Sequence, residues 1–100
     1  MAEPVLTLVT YTARAGNEDE LRGVLRTHVA RLEELGLVAD LPHFVAERSD
    51  RPGVFVESFW WRDEGASSLA HDNVEVQELW MRVEDLCVPE GVQHTVLQPL

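Results

Sequence analysis

The run Val54-Phe-Val-Glu-Ser-Phe-Trp-Trp61 restricts the fold more than any other part of this chain. Its aromatic and β-branched residues read as a strand. Successive side chains of a strand point to opposite faces, so Trp60 and Trp61 face opposite ways. Val5 to Ala13 behaves alike, with Val5, Thr7, Val9 and Tyr11 on one side and Leu6, Leu8, Thr10 and Thr12 on the other. A sheet built from these two strands has two apolar faces, and each needs a cover.

The remaining segments supply a cover for one face. Ala15-Gly16 turns the chain, and Asn17 with Glu20 predicts a helix N-cap and capping box. Glu18, Asp19 and Glu20 favour the positive end of the helix dipole. Leu21, Leu25, His28, Leu32 and Leu35 then form one stripe beside Val24 and Val29, and Gly36 suits a left-handed C-cap. Pro42 to Ser49 predicts a second strand. Asp50-Arg51-Pro52-Gly53 is a turn signal, which joins it to Val54–Trp61 as a hairpin.

Asp63 to His71 reads as a short helix, re-capped at Asp72-Asn73 with Asp72 and Glu75 as a second capping box. Val76, Leu79, Trp80, Val83, Leu86 and Cys87 continue at helical spacing to Cys87. Pro89 and Gly91 end that helix, and Val92 to Gln98 alternates as the last strand. The order is β-α-β-β-α-β. With right-handed crossovers this predicts an α+β, ferredoxin-like domain over residues 1–100, its four-stranded antiparallel sheet covered by helices on one face. The other face, with candidates Leu6, Leu8, Phe55, Phe59 or their alternating neighbours, is too apolar for water. A second copy placed face to face covers it, so a homodimer is expected.

Charge narrows the partners. Asp and Glu number 18 against 8 basic residues, a formal net charge of −10, and every basic residue is arginine. Nucleic acid and anionic membrane surfaces both demand a basic face, so neither is expected as a partner. No run reaches membrane-spanning length and the N-terminus lacks the pattern of a secretory signal, which predicts a cytoplasmic protein. Cys87 is the single cysteine, so no intrachain disulfide can form; an inert buried thiol is expected.

Three segments carry a family resemblance: Val5-Leu-Thr-Leu-Val-Thr-Tyr11, Asn17-Glu-Asp-Glu-Leu21, and Phe55-Val-Glu-Ser-Phe-Trp-Trp61 followed by Ala70-His71. On these the sequence resembles the antibiotic biosynthesis monooxygenase-like family of dimeric α/β barrels over nearly its whole length. Family members commonly show a glutamate and a tryptophan near the end of the third strand and a histidine about ten residues later. Trp61 and His71 match that arrangement, and Glu57, four residues before Trp61 on the same strand face, matches it loosely. The resemblance implies an oxygenase that works without metal or flavin on an electron-rich phenol. Such chemistry needs a group that removes a phenolic proton, an apolar pocket, and hydrogen bonds to the resulting anion.

His71 is the catalytic candidate by resemblance, since histidine titrates near neutrality; capping the helix end beside Asp72 is the alternative. His28 is the second, because a polar ring on an apolar helix stripe needs a partner or a cavity. Trp61 and Tyr11 are candidates for lining the pocket and contacting substrate, with core packing or a rim position as the alternatives. His43 and Glu57, on adjacent strands of the hairpin, complete the set if both point toward the helices. His94 lies between Val92 and Val96 in the alternation and can also point inward. The histidines lack tight ligand spacing, so no metal is expected, and the resemblance implies that no cofactor is needed. Arg14, Arg48 and Arg62 can orient an acidic substrate or pair with surface carboxylates.

These readings predict a cofactor-independent monooxygenase-like enzyme for a small aromatic or polyketide-type compound. A non-catalytic small-molecule-binding or accessory barrel is the first alternative. An isomerase or cyclase using the same histidines is the second. Convergence of His28, His71 and Tyr11 on one pocket favours an enzyme.

Overall fold

Two segments of period-two sequence, β1 (Val5–Ala13) and β3 (Val54–Trp61), pair antiparallel at the centre of the sheet, Val9 opposite Glu57 and Tyr11 opposite Phe55. The structure, a computed structural model, describes residues 3–100. The remaining elements are α1 (Glu18–Glu34), β2 (Phe44–Glu47), α2 (Ala66–Asp72), α3 (Val74–Leu86) and β4 (Cys87–Leu97). The four strands run in the order β2-β3-β1-β4, every neighbouring pair antiparallel. This is the α+β, ferredoxin-like arrangement that the patterning predicts.

Thr7, Val9 and Tyr11 of β1 and Phe55, Glu57, Phe59 and Trp61 of β3 are buried on the helix side. Leu21, Leu25 and Leu32 of α1, Ala66 and Ala70 of α2, and Val76 and Val83 of α3 close that side into one core. Phe55 and Phe59 therefore belong to the core. Their alternating neighbours Val56 and Trp60 share the open face with Leu6 and Leu8, all four half-buried, beside an exposed Phe44.

Both ends of α1 have identifiable causes. At its start the Asn17 side chain makes no cap hydrogen bond, contrary to the predicted capping box. The Glu18 carboxylate instead accepts from the Gly16 N–H at 2.7 Å. At its end Gly36 adopts φ 74°, the Leu37 N–H donates to the Leu32 carbonyl and the Gly36 N–H to that of Glu33. That is a Schellman motif, and it needs the left-handed conformation glycine adopts freely.

Other boundaries depart from the sequence reading. The second strand shortens to Phe44–Glu47. The short helix begins at Ala66, because Asp63 folds back to accept from the Gly65 N–H. Asn73, rather than Asp72, caps α3 by accepting from the Val76 N–H at 3.1 Å. The last helix ends at Leu86, and Cys87, Pro89 and Gly91 all lie in β4. An edge strand tolerates proline, which has no N–H to pair. The register of β4 on β1 shifts between Tyr11 and Ala13, and Glu90 takes φ 59°. A Cβ on Gly91 would lie 2.7 Å from the Val88 carbonyl oxygen and 2.9 Å from that of Thr12. Only glycine fits there.

Candidate active site

Glu57 is a carboxylate in the middle of β3 with no solvent exposure at all. A buried acid requires partners, and β1 and α1 provide them. The Tyr11 hydroxyl, diagonal to Glu57 across the β1–β3 ladder, donates to Oε1 at 2.7 Å. His28, carried over the sheet by the apolar stripe of α1, sets Nδ1 at 3.0 Å from both carboxylate oxygens. Its other nitrogen, Nε2, lies 3.0 Å from Nε1 of Trp80 on α3.

Hydrogen-bond polarity sets the direction of the Trp80–His28–Glu57 contacts. An indole N–H only donates, so His28 Nε2 accepts. The ring is then neutral with its proton on Nδ1, which donates to Glu57. Glu57 accepts from both His28 and Tyr11. Burial, reinforced by the charge of Glu57 and the hydrogen bond to it, drives the Tyr11 hydroxyl far above the ordinary phenol range.

Above this network, on the helix side, lies a cavity of about 200 Å³. Its walls are aromatic. Phe59 and Trp61 meet edge to face at 5.0 Å between ring centroids, and Trp61 and Trp80 at 6.4 Å. His71 of α2 stands at the mouth, exposed, its ring edge-on to Trp80 at 4.9 Å. Ser67, Glu84 and His94 add polar groups. His94 is hydrogen-bonded through Nε2 to Thr7 Oγ1. The Trp61 indole N–H is buried and has no partner among the described residues. Leaving such a donor unpaired costs about 1–3 kcal/mol.

The sequence candidates separate into three groups. His71, His28, Tyr11 and Trp61 all line the cavity. The polar atoms of His28 and Tyr11, however, are engaged with Glu57 and Trp80, which leaves His71 and Trp61 with free polar groups. Glu57 lies behind Tyr11 and His28 as their common acceptor and is not in the lining. His43 lies outside: Val45, not His43, pairs with Glu57, and the His43 ring stands on the surface 3.5 Å from Glu33. Arg48 and Arg62 pair with Asp50 and Asp63, and Arg14 donates to the Asp85 carbonyl. Trp80 is the participant that sequence reasoning left in the core. Its signal was an indole on the inner stripe of a helix in a fold whose other helix carries a buried histidine.

Comparison with solved structures gives the fold a context. The chain superposes on Rv0793 from Mycobacterium tuberculosis with a TM-score of 0.79, at 20% identity over 98% of this chain and 96% of that one. SnoaB, a cofactor-independent oxygenase from Streptomyces nogalater, matches at a TM-score of 0.79 and 16% identity, covering 99% and 95%. A structure described as an antibiotic biosynthesis monooxygenase matches at a TM-score of 0.78 and 14% identity, covering 96% and 98%. The fold is that of the antibiotic biosynthesis monooxygenases. In sequence alone, no family model matches the chain and no curated protein matches it significantly. No helix of this fold is long and apolar enough to cross a membrane among the described residues.

Proposed function

We propose that this protein is a cofactor-independent monooxygenase-like enzyme acting on a small electron-rich aromatic compound in the Trp61–Trp80 cavity. The observation that carries the reading is the cavity walled by Phe59, Trp61 and Trp80, with the exposed His71 ring edge-on to Trp80. His71 has a ring free of hydrogen-bond partners among the described residues and acts as the base that takes the phenolic proton. The relation to SnoaB, described as a cofactor-independent oxygenase, supports the same chemistry.

The reaction balances without a further redox partner. The phenolate passes one electron to oxygen, and the radical pair recombines at a ring carbon as a peroxide anion. The peroxide takes the proton back from His71. Loss of water then leaves a carbonyl, so one oxygen atom enters the product and the other leaves as water. The aromatic walls exclude bulk water from the intermediate.

A panel of polycyclic phenols, with oxygen uptake followed for wild type and His71→Ala, tests this reading. Removal of a general base should lower the rate by about 10²-fold or more. Uptake that is unchanged by the substitution, or absent with every phenol, removes the oxygenase assignment. A ligand-binding barrel without catalysis is the second reading. The engagement of His28 and Tyr11 within the protein favours it, and saturable binding without oxygen uptake would establish it.

We further propose that the chain works as a homodimer joined through its open sheet face. Leu6, Leu8, Val56 and Trp60 are only half-buried in the single chain, and Phe44 is 52% exposed. A second copy is the occupant whose apolar face matches this one.

A further inference from the structure

The cavity is small, and its walls are held in place. Its volume is about 200 Å³. An apolar cavity of about 150 Å³ holds one benzene ring, whereas drug-sized ligands fill roughly 300–1,000 Å³. Tyr11, Phe59 and Trp61 in the lining are buried core side chains, which close packing keeps from moving aside. Trp80 forms the wall from α3 and is held by three neighbours. Its indole N–H donates to His28 Nε2 at 3.0 Å, and its ring meets those of Trp61 and His71 edge to face. The exposed members of the lining, His71, Glu84 and His94, mark where the cavity opens to solvent.

From this arrangement we infer that the cavity takes aromatic compounds of one or two fused rings, and that Trp80 sets the limit. The inference rests on the proposed reading of this cavity as the ligand site and names the size class of its substrate. A fused ring that enters removes roughly 50 Å² of apolar surface from water, which raises affinity about tenfold. The volume left beside a first ring accommodates a second. A third ring has no room against Trp80 and stays in the mouth among His71, Glu84 and His94, where it remains wet and gains little. Affinity should therefore climb from one ring to two and stop there.

Equilibrium dialysis of the full chain against phenol, naphthol and anthrol tests this, since each probe adds one fused ring to the last; only the fraction that excess naphthol displaces is read. Wild type should bind naphthol about tenfold more tightly than phenol, and anthrol no more tightly than naphthol. Trp80→Ala should bind anthrol about tenfold more tightly than wild type does. Trp80→Phe, which keeps an aromatic ring at that position, should act in the same direction by a smaller factor, so the role of Trp80 stays testable if the alanine variant does not fold. Affinity that is flat from phenol to naphthol, or that rises a further tenfold to anthrol, overturns the size class. Variants that leave anthrol binding unmoved overturn the role of Trp80. In both cases the cavity stands as a ligand site. Failure of wild type to bind any of the three probes overturns the cavity reading itself, and the inference with it.

Discussion

Tyr11→Phe isolates one contact of the buried network. The ring of Tyr11 is 3% exposed and the substitution preserves its packing, so only the hydroxyl that donates to Glu57 Oε1 at 2.7 Å is lost. Its loss leaves a buried carboxyl oxygen served by His28 alone, and an unsatisfied buried acceptor costs about 1–3 kcal/mol. The expected destabilisation is about 1–3 kcal/mol at neutral pH, a fall in Tm of roughly 5–20 °C for a domain of this size. The alkaline limb gives a second signature. Tyr11 is raised far above its ordinary value of 10.0 in the folded state, first by burial and then by Glu57. Its contribution is therefore fully present below pH 10 and is lost as pH rises beyond it, because the unfolded chain releases the phenolic proton and the folded one does not. Wild-type stability should lose about 1.4 kcal/mol per pH unit from this residue above pH 10, a loss the phenylalanine variant escapes. Urea denaturation of both proteins across this range measures the convergence. Tyr11 is the chain's single tyrosine, so tyrosinate absorbance reports it alone. Tyrosinate appearing with a midpoint near 10 in the folded protein would refute the argument.

Three further outcomes test other parts of the molecule. Arg22→Ala should destabilise the protein more at neutral pH than in acid. Glu47 is held below the usual carboxylate range first by the Gly53 N–H and then by Arg22, so its contribution is present above the unfolded value of 4.5 and disappears as pH falls through the lowered folded value. Thermal melts of both proteins from pH 7 to 3 should converge. Gly91→Ala forces a methyl group to within 3 Å of two carbonyl oxygens and should cost about 1–3 kcal/mol, read as a lower urea midpoint. Leu8→Glu puts a charge on the open sheet face without disturbing the helix-side core; sedimentation at micromolar concentration should shift the protein from dimer to monomer, and a wild type that is already monomeric contradicts the dimer proposal.

The fold was readable because its strands are patterned strongly. The alternation in Val5–Ala13 named Thr7, Val9 and Tyr11 as one face, and that face is the buried one. The network was only partly readable. His28 declared itself by standing among leucines on a helix. Its partner Trp80 lies 52 residues away on another helix, and an indole there looks like any core aromatic until tertiary packing brings the two together. His43 misled because strand register is set by pairing rather than composition: Val45 pairs with Glu57, and His43 falls two residues beyond that pair, on the surface facing Glu33. The start of β4 was hidden for a related reason. Leu86-Cys87-Val88 continues a helical stripe, yet the chain turns extended at Cys87, where Pro89 and Gly91 meet the needs of an irregular edge.

The chain of donors from Trp80 through His28 to Glu57 ties two helices to the centre of the sheet beside the cavity. Nitrogen-15 NMR of the His28 imidazole at neutral pH examines it directly. The ring should carry its proton on Nδ1, with Nε2 unprotonated and accepting from the Trp80 indole. A proton found on Nε2 would break the chain at its centre and contradict the account.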